Sequence, residues 1–254
     1  MFLAIRPRTW YHSSLTSPEG RDNTMKLRAV IFDLDNTLYD YDAAHEHAFG
    51  ALCAFAGKTL DLSEADFRTV YRQVMDEQIS RAGGQYAAIH NRMIRFQMIL
   101  ERLKKPILYA PDMSDVYWDA FLDACQPVPG VRQTLETLRQ TYTVGVGTNM
   151  TADYQFRKLQ TLRLLDLIDF LVSSEEVGVE KPERKLFEVC AQKAGCPAGA
   201  CLFVGDSLSH DVRGALDAGM AAVWLSAKPA PAGIDRVTDI SELPDFIRRK
   251  GGRP

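Results

Sequence analysis

Asp33 and Asp35 close the apolar run Ala29-Val30-Ile31-Phe32, with Leu34 between them and Asn36-Thr37-Leu38 behind. Residues at i and i+2 of an extended chain point to one side, so both carboxylates can face a single cavity. Two like charges held close repel, and one is driven toward protonation unless a cation lies beside them. That arrangement suits a nucleophile, a proton donor and a metal ligand sharing one small site, although a plain turn after a strand also uses Asp. More chemistry-bearing groups follow at later strand ends: Thr148-Asn149, then Lys181 in Gly178-Val179-Glu180-Lys181-Pro182, then Asp206 and Asp211 in Gly205-Asp206-Ser207-Leu208-Ser209-His210-Asp211. Each has an ordinary explanation on its own. Thr148-Asn149 could cap a helix, Lys181-Pro182 could be a surface loop with Pro182 opening a helix, and Asp206 and Asp211 could complement a helix dipole. Their recurrence at four successive strand ends favours chemistry.

The elements that must carry these groups follow from periodicity and breakers. Residues 28–33 read as a strand buried on both faces. Residues 43–126 show no strand pattern and instead predict four helices at 43–57, 63–80, 86–104 and 111–125. Gly57 ends the first, Ser63 with Asp66 opens the second in the manner of a capping box, and Gly83-Gly84 and Pro106 mark breaks. Pro127-Val128-Pro129-Gly130 closes the insert. Helices at 130–140, 151–164, 183–194 and 209–218 then alternate with strands at 142–147, 168–173, 201–205 and 221–225. Single helices between strands predict an α/β fold, a Rossmann-like parallel sheet with helices on both faces, and an inserted all-helical cap. The expected organisation is a leader at 1–24, a core formed by 25–41 and 127–228, a cap at 42–126, and a tail at 229–254 with one short helix near 241–249. In such sheets ligands bind beyond the carboxyl ends of the strands.

Composition narrows the function classes. With 46% hydrophobic residues the 254-residue chain can bury a sizeable core, and a net charge of −3 gives no electrostatic case for nucleic acid or an anionic membrane. Arg248-Arg249-Lys250 is too short and too close to the end to serve as a binding patch. No run approaches the roughly 20 apolar residues that span a bilayer, so the sequence reads as soluble. The five cysteines (Cys53, Cys125, Cys190, Cys196, Cys201) are scattered without C-x-x-C or nearby His partners, as expected of buried or incidental thiols in a reducing cytoplasm. Residues 1–24 mix Arg, Pro and Ser/Thr without a secretory core and read as a disordered leader or an over-long start, a mitochondrial-type presequence being the alternative.

In order and identity the four motifs, D-x-D-x-T, T-N, K-P and G-D-x4-D, closely resemble those of the haloacid dehalogenase-like hydrolase superfamily over residues 26 to about 227. The resemblance implies phosphoryl transfer through an aspartyl phosphate in a core covered by a helical cap. By that carry-over Asp33 attacks phosphorus, and Asp35 protonates the leaving alkoxide and later takes a proton from water. Thr148 and the Asn149 backbone N–H bind phosphate oxygens. Lys181 offers a point charge to both phosphate and Asp33. Asp33, Asp206, Asp211 and the backbone carbonyl of Asp35 hold Mg²⁺. The wording Asp35-Asn36-Thr37-Leu38-Tyr39-Asp40 and the helical cap are similar to the pyrimidine 5′-nucleotidase and acylneuraminate-9-phosphatase branches. The expected substrate is thus a small phosphorylated metabolite, a nucleoside 5′-monophosphate or a sugar phosphate, bound by a monomer or homodimer without nucleic acid or membrane. Two relatives of the same superfamily give the alternatives. A sugar phosphomutase shares every core residue, whereas a 2-haloacid dehalogenase attacks carbon and usually carries an aromatic residue where Asp35 stands.

The cap supplies the remaining candidates. His45 and His47 follow the first motif closely enough to reach the cavity, although a solvated face is the simpler expectation. Arg92 and Arg95 share a helix face at i, i+3 and are candidates for substrate contact against a default of exposed surface. Tyr117, Trp118 and Phe121 read as cap core rather than a stacking platform. His210 reads as a rim residue of the last acidic loop.

Overall fold

A computed structural model of the protein describes residues 26–83 and 87–251; the leader expected at 1–24 lies outside them. Six parallel strands form one sheet: β1 (Ala29–Phe32), β2 (Thr143–Thr148), β3 (Phe170–Ser173), β4 (Cys201–Gly205), β5 (Ala221–Leu225) and β6 (Arg236–Val237). Their spatial order is β3-β2-β1-β4-β5-β6. The chain runs outward from β1 to β3, returns across β1, and continues on its other side. β1 is therefore the switch point beside which α/β sheets place their ligands. Phe32 pairs with Val146 of β2 and with Val204 of β4, so the three strands end within two residues of one level.

The unbroken apolar run of β1 is explained by burial on both faces. Val30 and Phe32 join one core cluster with Val144, Val146, Leu202 and Val204. Ala29 and Ile31 join the other with Phe203, Leu186 and Phe187. The helices over these faces are α5 (Val131–Arg139), α6 (Ala152–Thr161), α7 (Ser174–Val177), α8 (Arg184–Ala194) and α9 (Gly214–Asp217), with α10 (Leu243–Arg249) packed on α5. Gly145 permits close approach, since a Cβ there would fall inside the Phe170 ring.

Among its described residues the insert contains four α-helices, α1 (Tyr41–Phe55), α2 (Glu64–Ala82), α3 (Arg92–Arg102) and α4 (Ala110–Ala124). Its two connectors run side by side: Tyr39 bridges to Pro127, and Val128 N donates to Leu38 O at 3.0 Å. Ser63 caps α2, accepting from Asp66 N at 3.1 Å. The box is incomplete, because the short Asp66 side chain accepts the Ser63 hydroxyl at 2.6 Å instead of reaching back to a backbone N–H.

Several boundaries differ from expectation. Gly57 does not end α1; the chain continues through a wide turn, Ala56–Leu60, to Asp61, whose φ of 56° stops it. The helix expected from residue 86 begins only at Arg92, because the Asn91 side chain accepts from Ile94 N and caps it there, leaving Ala87–His90 as a separate tight turn. Pro182 does not open α8, which is preceded by Glu183 and starts at Arg184. The tail adds β6, a two-residue edge strand too short for any period-2 signal.

Candidate active site

Asp33 leaves the centre of the sheet with its backbone N–H bonded to Val204 O at 2.9 Å and its side chain only 6% exposed. The chain then turns at Asn36, whose φ of 62° is one Asn tolerates, and the Asn36 side chain accepts from Tyr41 N at 2.9 Å. This turn folds Thr37 back under Asp33. The Thr37 hydroxyl lies 3.4 Å from both Asp33 Oδ2 and Asp206 Oδ1, and accepts from Asp206 N at 3.2 Å. The first and fourth motifs are thereby tied together.

Lys181 sits between two of the acids, its Nζ 2.5 Å from Asp33 Oδ1 and 2.7 Å from Asp211 Oδ1. Its loop is held by the Asn149 side chain, which accepts from Lys181 N at 2.7 Å and donates to Lys181 O at 3.1 Å. That leaves the Asn149 backbone N–H outside this pairing. Asp211 is oriented by Ser207 N at 2.9 Å. Burial, reinforced by repulsion from Asp211 and Asp35, pushes the Asp33 carboxyl up to about 8 despite Lys181. Burial and Asp211 likewise push Asp206 up to about 6. Burial pulls Lys181 toward neutrality, but Asp211 and Asp33 outweigh it and keep the ammonium charged.

One lysine does not satisfy three acids. Carboxylate oxygens of Asp33, Asp206 and Asp211 lie within 4.8 Å of one another, and Asp211 Oδ1 makes no well-aligned hydrogen bond. Buried and half-buried, mutually repelling oxygens of this kind form the donor set a hard divalent cation prefers. The residues fit Mg²⁺.

The profile of the haloacid dehalogenase-like hydrolase family matches residues 30–225, which include every one of these groups. The chain belongs to that family. Among its relatives, a ribulose-1,5-bisphosphate 5-phosphatase of Halopiger xanaduensis is 34% identical over 200 residues, covering 77% of this chain and 83% of the relative. The pyrimidine 5′-nucleotidase YjjG of Escherichia coli is 29% identical over 222 residues, 86% and 96% of the two chains. A solved 2-haloacid dehalogenase from Pseudomonas syringae pv. Tomato superposes with a TM-score of 0.71 at 29% identity, over 89% of this chain and 100% of that one.

In this haloacid dehalogenase-like hydrolase the second acid, Asp35, is held apart from the others. It accepts Tyr39 Oη at 2.5 Å and Lys158 Nζ at 2.8 and 3.1 Å. Burial alone would raise Asp35, but Lys158 and Tyr39 overcome it and hold the carboxyl below its usual range. Lys158 is 0% exposed and sits among the rings of Tyr39, Tyr41 and Phe121 at 5.2 to 5.7 Å. Gln155, one turn earlier, donates to Thr148 Oγ1 at 2.6 Å and orients that hydroxyl. Neither Gln155 nor Lys158 was singled out from sequence. The stripe 155, 158, 159 on α6, continued by its C-terminal cap Leu162, was the available signal, since it places both polar residues on the buried face with Leu159 and Leu162.

The cap candidates separate sharply. His47 is exposed, whereas His45 is half-buried with Nδ1 2.7 Å from Tyr117 Oη; burial, with Arg92 nearby, pushes it down to about 4. The expectation of exposed arginines is overturned: Arg92 and Arg95 are 5% and 7% exposed. Their side-chain partners, Tyr41 for Arg92 and Gln78 and Tyr71 for Arg95, come from other helices, so local sequence could not reveal the burial. Arg95 serves the cap interior, donating to Gln78, Tyr71 and the Ile89 carbonyl. Arg92 instead lines a pocket at the cap–core junction. Tyr117 and Phe121 are buried in the cap as expected, whereas Trp118, also buried, stacks on Tyr154 of the core helix α6 with ring centroids 3.6 Å apart. His210 is partly exposed and held by Ser207 and Ser209.

A methyl group behind the acid cluster provides a test of it. A Cβ on Gly205 would fall inside the Asp211 carboxylate. Gly205→Ala is expected to cost about 1–3 kcal/mol of stability, as overpacking does, and to weaken divalent-ion binding at least about tenfold. Thermal melts and Mg²⁺ titration of the variant check both.

Proposed function

We propose that the chain is a Mg²⁺-dependent phosphatase that hydrolyses a small phosphomonoester through an aspartyl phosphate on Asp33. The observation that carries this reading is the contact of Lys181 with both Asp33 and Asp211, beside Asp206. Asp33 attacks phosphorus while Lys181, the Thr148 hydroxyl and the Asn149 N–H hold the phosphoryl oxygens. Asp33, Asp206, Asp211 and the Asp35 carbonyl would hold Mg²⁺, which when bound would supply charge neutralisation to the carboxylates and the phosphoryl group.

Asp35 hands a proton to the departing alkoxide, then accepts one from the water that hydrolyses the acyl phosphate. Its pairing with Lys158 keeps it ionised, which suits the second step. For the first step, the incoming phosphate dianion raises its proton affinity by like-charge repulsion. Such an acid has no use in attack on a haloalkyl carbon, which argues for phosphate esters over dehalogenation. The substrate range we propose is nucleoside 5′-monophosphates or sugar phosphates of a reducing cytoplasm, in line with the five free cysteines.

The test is phosphate release from p-nitrophenyl phosphate, expected with Mg²⁺ and lost in EDTA. Release that ignores EDTA contradicts the proposal. A mutase would instead need a bisphosphate activator and release little free phosphate.

Proton linkage gives a second test. An acid whose folded pKa lies above its unfolded value of 3.8 binds its proton more tightly when folded. Its folded-state advantage is therefore largest at low pH and falls as pH rises from about 4 through about 6 for Asp206 and about 8 for Asp33. Metal-free protein is expected to lose stability across that window. Mg²⁺ at a hundredfold excess over Kd should restore about 3 kcal/mol at pH 8 and much less at pH 5, where protons compete. Equal melting shifts at both pH values would contradict the site.

A further inference from the structure

Arg92 is a buried charge without a counter-charge. Among the described residues no carboxylate lies within ion-pair distance of it, and its one hydrogen bond runs from Nη2 to Tyr41 Oη at 2.7 Å. Its Nε is buried with no partner. The guanidinium carbon lies 4.5 Å over the Tyr117 ring and 4.8 Å over Trp118, which fix its position without neutralising it. Arg95, three residues on and equally buried, makes three hydrogen bonds. A desolvated cation left in this state is costly to the folded protein unless an anion arrives to pair with it.

Arg92 lines a cavity of about 270 Å³ shared with His90, Ser114, Trp118, Thr151 and Tyr154. None of the phosphate-site side chains lines it, but its walls are joined to them through neighbouring residues. Thr151 and Tyr154 follow Thr148-Asn149 at the start of α6. His90 Nε2 contacts Glu180 Oε1 at 2.9 Å, immediately before Lys181. The Tyr41 that holds Arg92 also packs on Lys158, 5.4 Å from Nζ to ring, and Lys158 holds Asp35. The two acids on the wall are already engaged, Asp153 with Arg157 and Glu175 with Ala152 N. The cavity is small beside the roughly 300 to 1,000 Å³ of drug-sized sites. It also offers no open ring for a nucleobase, since Trp118 carries Tyr154 stacked at 3.6 Å and Arg92 over the same ring system.

We infer that Arg92 receives an acidic group on the leaving-group side of the substrate, so that the preferred ester is a small sugar or hydroxy-acid phosphate bearing a second anion rather than a nucleotide. This rests on the phosphatase reading and narrows it. The second anion is a carboxylate or a further phosphoryl group, both of which match the planar donor fork of a guanidinium.

The experiment compares kcat/KM, with Mg²⁺, for 2-phosphoglycolate and ribulose 1,5-bisphosphate against glyceraldehyde 3-phosphate and uridine 5′-monophosphate, with p-nitrophenyl phosphate as reference. At least one anionic ester is expected to exceed both of the others by about tenfold to a hundredfold, the worth of one charge-assisted pair. Which one does so separates carboxylate from phosphoryl recognition. Arg92→Met is expected to bring that ratio close to one, through KM more than kcat, and Arg92→Lys to retain part of it. A wild-type enzyme that prefers the esters without a second anion overturns the inference whether or not either variant folds. An unchanged ratio in folded Arg92→Met or Arg92→Lys overturns it too. If p-nitrophenyl phosphate is cleaved and the preference is absent, only this inference falls; if no ester is cleaved at all, the phosphatase reading falls with it.

Discussion

Asp33→Asn is expected to lower kcat on p-nitrophenyl phosphate by at least about 10⁴-fold, the scale seen when an enzyme loses its nucleophile. An amide has almost the same shape but no charge with which to attack phosphorus. The fold should survive the change, because Lys181 keeps Asp211 at 2.7 Å and the cavity wall is unaltered. Burial already disfavours the Asp33 carboxylate, so at pH 8 the metal-free variant should melt no lower than metal-free wild type. Phosphate release and paired melting curves measure the two effects separately. Turnover within tenfold of wild type would remove Asp33 from its proposed role.

Asp35→Asn should produce a loss that depends on the leaving group. An alkoxide needs a proton as it departs, and general acids contribute about 10²- to 10⁴-fold to such steps. The p-nitrophenolate ion leaves without that help, so formation of the aspartyl phosphate should slow far more for an alkyl phosphate than for p-nitrophenyl phosphate. The same substitution leaves Lys158 as a fully buried ammonium facing an amide instead of a carboxylate. The variant should therefore also melt lower than wild type, by an amount equivalent to about 3 kcal/mol, as when a buried pair loses one partner. Rapid-quench burst measurements on both substrates, combined with melting curves, read the two consequences apart. Equal slowing on the two esters would argue that Asp35 only positions Lys158 and Tyr39.

The sequence carried the core of the site because each of its motifs is local. Asp33 with Asp35, Thr148 with Asn149, and Asp206 lie at or just past strand ends, whereas Lys181 comes after the short helix α7 that follows β3 and Asp211 lies in the helical turn Leu208–Arg213 after β4. A parallel sheet brings consecutive strand ends to one edge whatever the helices between them do. Buried strands such as Ala29–Phe32 and Cys201–Gly205 also announce themselves, since burial on both faces demands an unbroken apolar run. What the sequence determined by itself was therefore the α/β fold, the inserted helical segment and the acid–lysine cluster.

The tertiary structure alone decided which polar groups are buried and what they face. Lys158, Gln155, Arg92 and Arg95 lie on helices where Lys, Gln and Arg are ordinary surface residues, and their burial follows from partners 6 to 123 positions away, such as Ile89, Thr148 and Asp35. It also decided that Arg95 finishes its hydrogen bonds inside the cap while Arg92 lines the cavity between cap and core. Helical periodicity reports which residues share a face, but whether that face meets water, a carboxylate or a ligand depends on how distant segments pack against it.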